Sequence, residues 1–217
     1  MISRADMALL AVSLLWGGTF VVVKEALRDV STFLFLALRF TLAAGVLALA
    51  LGRRIGAQGT LVDGLRLEWR GGAACAGLLF LGYALQTAGL TLTTASKSAF
   101  LTALYIVLVP LLASFVNESR PRPVEVAGIL LAACGTALLT AASGGWQAQS
   151  WDLNRGDMLT ILSALAFAGH ILAVAHYSRR MAYERLALYQ IGGVAVFSWL
   201  ARKPMEPPRI VWSAGAP

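Results

Sequence analysis

The stretch MALLAVSLLWGGTFVVV, Met7 to Val23, runs 17 residues without a charged side chain, with Asp6 directly before it and Lys24 directly after. A hydrocarbon core about 30 Å thick is crossed by about 20 apolar residues in a helix, so this stretch reads as a membrane span. Lys24 and Glu25 follow it with no small-residue cleavage site, which makes it a retained span rather than a removed signal. Six further runs of the same kind follow: Thr32 to Leu51, Gly71 to Leu90, Ser98 to Val116, Val124 to Ala142, Met158 to His176 and Leu186 to Leu200. The last has 15 residues before Arg202 and Lys203 and is the weakest of the seven. Lipid cannot satisfy backbone N–H and C=O groups, and the runs lack the alternation of barrel strands, so each is expected to be helical. The fold class is all-α integral membrane, a multi-span helical bundle.

Composition agrees. Apolar residues make up 58% of the chain and charged residues 13%, against roughly 45–50% and 25% in soluble domains, which excludes a soluble enzyme as the default. The net charge of +7 comes from basic residues scattered between apolar runs, so no nucleic-acid partner is expected. Cys75 and Cys134 lie inside apolar runs and imply neither a disulfide nor a metal site. The chain has no phosphate-cradling Gly-rich loop with Lys-Ser/Thr, no His-Glu-x-x-His and no Gly-x-Ser-x-Gly elbow. No catalytic residues, no cofactor and no enzymatic activity are expected.

Lys and Arg sort by alternate loops. One side holds Arg4, Arg53, Arg54, Arg66, Arg70, Arg120, Arg122, Arg179, Arg180 and Arg185, the other Lys24, Arg28, Lys97 and Arg155. That imbalance predicts a multi-pass membrane protein with its N-terminus in the cytoplasm. Trp146 and Trp151 then fall in an external loop, suited to an interfacial anchor. Arg202, Lys203 and Arg209 would be external if the seventh run crosses, against the same rule.

One internal match stands out: Arg4-Ala-Asp6-Met7 with Trp16-Gly17-Gly18 falls on Arg155-Gly-Asp157-Met158 with Phe167-Ala168-Gly169 at a constant shift of 151, and at that shift Arg39 falls on Gln190. Five spans, an odd number, separate the copies, so the second enters the membrane from the opposite face. That is the pattern of an inverted-topology transporter with a site near the midplane. The expected organisation is a first five-helix repeat over 1–142, an external loop over 143–157 and an incomplete second repeat over 158–217. On this reading roughly three helices of the second repeat are absent, leaving a truncated copy, or a homo-oligomer or other partner that completes it.

These residues resemble the drug/metabolite transporter superfamily, specifically its EamA-like branch. The likeness lies in Leu15-Trp16-Gly17-Gly18-Thr19-Phe20, Ala37-Leu38-Arg39-Phe40, Ala95-Ser96-Lys97-Ser98-Ala99-Phe100-Leu101, Val109-Pro110-Leu111-Leu112, Glu118, Gly128-Ile-Leu with Gly135, and Gly156-Asp157. The resemblance implies ten helices in two inverted halves and transport of small metabolites or drugs across the cytoplasmic membrane. The family's last three helices have no counterpart here.

Candidate substrate-binding residues are Trp16, Arg39, Gln86, Lys97, Tyr105 and His170. A charge at the depth of Arg39 costs about 2.5–3.5 kcal/mol on insertion scales unless it faces a polar interior or snorkels. A cavity-lining guanidinium could hold an anionic group bidentately. Lys97, at the external start of the fourth span, adds to an anion-attracting mouth or is a solvated helix-end lysine. Every acid falls in a loop or at a helix end, so no buried midplane carboxylate is expected, which favours neutral, zwitterionic or anionic cargo over cations. His170 is the deep group that titrates near neutrality; His176 lies too far round the helix to join it in a metal site. Trp16 and Phe167 occupy matching repeat positions and suit a solute held between rings. Tyr189 and Gln190 read as helix–helix contacts, as do small-residue stripes at Gly128, Ala132 and Thr136 and at Ala73 and Gly77. Pro110 invites a kink. The expected partners are a lipid bilayer and a small-molecule substrate, and the expected function is a permease working by alternating access. The alternative is a truncated, transport-inactive membrane subunit or fragment.

Overall fold

The computed structural model describes residues 3–57, 61–117, 123–140, 154–206 and 210. Trp146, Trp151, Glu118, Arg120, Arg122 and Arg209 lie outside the described residues. Eight helices follow in order: α1 Arg4–Asp29, α2 Thr32–Ala57, α3 Leu61–Leu92, α4 Ala95–Ala103, α5 Tyr105–Asn117, α6 Pro123–Thr140, α7 Arg155–Tyr177 and α8 Tyr183–Met205. Among the described residues five segments are long and apolar enough to cross a membrane: Asp6–Asp29, Thr32–Gly52, Glu68–Leu92, Ala95–Phe115 and Arg155–Tyr177. The protein is an all-α, multi-span membrane bundle.

Two departures from the sequence reading have local causes. The fourth run is one span in two parts: the Leu104 N–H bonds back to Leu101 O and Thr102 O, while its carbonyl accepts from Val107 and Leu108. The break therefore precedes Pro110, which sits inside α5. The seventh run grows from 15 apolar residues to a 23-residue helix, because Tyr183–Arg185 and Ala201–Met205 continue it at both ends.

The repeated segments start their helices in the same way. Ser3 accepts from the Asp6 N–H and the Asp6 carboxylate accepts from the Ser3 N–H; Asn154 and Asp157 do the same on α7. Each box satisfies two of the free N–H groups at a helix start. Several hydroxyls within the spans fold back onto their own helix, as in Ser13 to Leu9 O, Thr41 to Ala37 O and Ser198 to Val194 O, so that these donors are paired without water.

α3 is the centre of the bundle. It runs antiparallel to α7, meeting Tyr177 at Gly71, Phe167 at Gly82 and Gly156 at Gly89. A Cβ on Gly89 would come 2.7 Å from the Gly156 carbonyl, and one on Gly82 2.6 Å from Phe167, so close approach rather than backbone freedom requires glycine there. Neither of the small-residue stripes expected from sequence gives such contact at its glycine: Gly77 and Gly128 have open space at their Cβ positions. Along its other face α3 runs parallel to α8 in steps of four residues, Glu68 with Arg185, Gly72 with Tyr189, Ala76 with Gly193 and Phe80 with Phe197. α2 closes on α8 from the opposite direction, with Trp199 Nε1 donating to Thr41 Oγ1 at 3.0 Å and the Phe33 N–H donating to Glu206 Oε2 at 3.1 Å. Leu36, Phe40, Leu79, Phe167, Val194 and Ala195 form the core between these four helices.

α1 is held by one half only. Val23 and Leu27 pack with Leu90, whereas the helix is exposed from Asp6 to Gly18. Lys24 near the C-terminal end of α1 meets the end of α3, which in turn meets the start of α7. Asp6 and Asp157 thus lie at opposite ends of the bundle.

Candidate functional site

A shallow cleft opens between α1, α2 and α3, lined by Trp16, Thr19, Phe20, Val23, Arg39, Tyr83, Gln86, Thr87 and Leu90. Its two long walls are helical stripes of the same spacing. Residues 16, 19, 20 and 23 of α1, and 83, 86, 87 and 90 of α3, each follow i, i+3, i+4, i+7 and so share one helix face. Arg39 comes from the α2 face between them.

Three of the six candidate residues meet here: Trp16, Arg39 and Gln86. Tyr105 stands beside them, its ring centroid 6.3 Å from that of Trp16. The Arg39 guanidinium is half-buried and lies 5.4 Å from the Tyr83 ring centroid and 5.7 Å from that of Phe40. Such ring contacts return about 0.5–2 kcal/mol, less than the cost of a charge at membrane depth. Among the described residues no carboxylate lies within ion-pair distance of Arg39. Tyr83, which sequence reading missed, is braced edge-on by Phe167 at 5.2 Å. The signal that could have found it, with Thr19 and Thr87, is the paired stripe.

Phe167 itself is not in the cleft. It is buried against Tyr83 in the notch left by Gly82, so the expected Trp16–Phe167 pair around a solute is replaced by one lining ring and one packing ring. His170 is also elsewhere, its Nε2 2.8 Å from Gln190 Oε1 on α8. At the repeat shift of 151 this pair corresponds to Thr19 and Arg39 of the cleft. His176 packs against Tyr177, and among the described residues no cluster of three metal-ligating side chains occurs.

Lys97 lies where α3, α4 and α7 meet and is mostly buried in an ion pair, not a solvated lysine or an open anion mouth. Its Nζ is 2.6 Å from Asp157 Oδ2, and the Asp157 carboxylate is fully buried. Thr93 Oγ1 donates to Asp157 Oδ1 at 2.7 Å and the Asn154 N–H to Oδ2 at 2.9 Å. Asp157 is at a helix end, as the sequence places every acid, but it is fully buried there, beside the close approach of Gly89 and Gly156. Lys24 sits in the same layer, donating to the carbonyls of Leu90 at 2.6 Å and Thr93 at 2.7 Å and so capping α3.

The fold is a multi-span membrane bundle with a cleft between its first three helices. The EamA-like transporter family model matches residues 3–141, and the chain belongs to that family. An uncharacterized transporter of Archaeoglobus fulgidus is 35% identical over 195 residues, covering 89% of this chain and 56% of the relative. An aromatic amino acid exporter, YddG, of Ancylobacter novellus is 26% identical over 204 residues, covering 94% and 68%. A solved crystal structure superposes with a TM-score of 0.65 at 26% identity, over 98% of this chain and 71% of that one. The chain therefore spans a little over half the length of the archaeal relative.

Proposed function

We propose that the chain is the cargo-binding part of a cytoplasmic-membrane permease whose site is the α1–α2–α3 cleft. Its cargo is a small molecule bearing a carboxylate and an apolar or aromatic body. The observation that carries this reading is Arg39: a guanidinium in a cleft of rings, with no carboxylate partner among the described residues. Trp16 and Tyr83 supply faces for a planar body, and Gln86 with Thr19 and Thr87 supplies neutral hydrogen-bonding groups, a set suited to an anion or a zwitterion. The relative named as an aromatic amino acid exporter points to the same chemistry. The N-terminus is cytoplasmic on the charge imbalance, so the end carrying Lys97 and Asp157 is external. Residues 1–142 act as one inverted repeat and 158–217 as the start of the other, rocking about the cleft by alternating access.

The test is flux into proteoliposomes containing the full chain. Phenylacetate and phenylalanine are expected to move saturably and to compete with one another, while phenethylamine, which lacks the carboxylate, does not compete. Arg39→Gln is expected to lower flux by about tenfold or more, the value of a charge-assisted hydrogen bond. Competition by phenethylamine, or full flux in Arg39→Gln, would sink the reading.

A further inference from the structure

We propose that the Lys97–Asp157 ion pair is a latch that holds the external end of the cleft shut, and that its separation admits solvent from that face. The inference rests on reading the cleft as the cargo site, and it adds how one mouth of that site is closed. Below the pair the cleft ends on a plug: Phe20, Val23 and Leu90 line it and also belong to the apolar cluster with Leu27 and Phe35. Above the plug lies the polar layer, where Lys24 ties α1 to the end of α3. The pair joins α4 to α7, so it bridges the two repeat units, and Thr93 brings the end of α3 into the same carboxylate. At the other end the first half of α1 is exposed.

A seam of hydroxyls runs from this layer to the cleft. Thr160 donates to Gly156 O at 2.8 Å and stands 3.5 Å from Ser98 Oγ; Thr102 donates to Ser98 O at 2.8 Å; Gln86 of the cleft donates to Thr102 Oγ1 at 3.1 Å. Ser98, Thr102 and Thr160 are buried. A cargo that draws on Gln86 therefore pulls on a hydrogen-bonded chain that ends one residue from Asp157, a contiguous physical link of the kind two-state coupling requires.

The experiment is one-sided thiol labelling of Thr87→Cys in the full chain carrying Cys75→Ala and Cys134→Ala, in oriented proteoliposomes, with a membrane-impermeant methanethiosulfonate. With the pair intact, labelling from the external face is slow. Asp157→Asn and Lys97→Met are each expected to raise that rate by about tenfold or more without raising the rate from the cytoplasmic face, because removing one partner of a buried pair disfavours the closed state. The double variant Lys97→Met/Asp157→Asn leaves no unpaired charge and so retains the fold; it is expected to label as fast as the single variants. External rates at the level of the intact pair in the double variant, or equal rises on both faces, overturn the latch. Arg39→Gln is expected to lose cargo flux while keeping slow external labelling, so failure of the cargo site and failure of the latch give different results.

Discussion

The two ends of the bundle are built on different principles. At one end α1, α3, α4 and α7 converge on a layer in which Lys24 caps α3 and Asp157 takes Lys97, Thr93 and Asn154. At the other, α3 and α8 are joined by a two-bond ion pair, Glu68 with Arg185, at 2.7 and 3.0 Å. The first half of α1 is exposed from Asp6 to Gly18. Among the described residues the first end gathers Lys24, Lys97 and Asp157, with the Asp157 carboxylate fully buried, whereas Glu68 and Arg185 keep 13% and 15% of their side-chain surface exposed. Breaking the first layer therefore uncovers the most deeply buried charge.

Removing the Asp157 carboxylate should have the largest effect. Asp157→Ala strands the mostly buried Lys97 and opens the α7 cap, and is expected to lower stability by about 3–5 kcal/mol, read as a fall in thermal unfolding temperature in nanodiscs. Next comes Gly89→Ala, whose Cβ would press on the Gly156 backbone and force α3 from α7; about 1–3 kcal/mol is expected by the same measurement. Glu68→Gln, at the other end, keeps one acceptor for Arg185 and should cost about 1 kcal/mol. Gly77→Ala meets open space inside a helix and should be neutral or stabilise by up to about 1 kcal/mol. If Glu68→Gln proves as damaging as Asp157→Ala, the contrast between the ends is wrong.

Much of this was legible in the sequence because lipid makes composition decisive: the apolar runs became helices, and Trp16, Arg39 and Gln86 converge on one cleft. What was illegible depended on how closely two backbones approach. The burial of Asp157 follows from Gly89 meeting Gly156, glycines 67 positions apart. Without that contact Asp157 reads only as a helix-end acid, and Lys97 as part of a mouth or a solvated helix end. The same limit applies to Phe167, which the repeat pairs with Trp16 but which the Gly82 notch draws into the core. One clue was present and unread: Ser3-x-x-Asp6 and Asn154-x-x-Asp157 share the capping spacing as well as the repeat.

The claim that Arg39 anchors a carboxylate is tested most directly by equilibrium binding of radiolabelled phenylacetate to the detergent-purified chain, with Arg39→Gln alongside. The account predicts saturable binding that phenethylamine fails to displace and that Arg39→Gln weakens about tenfold or more. Phenylacetate binding of equal strength in Arg39→Gln would contradict it.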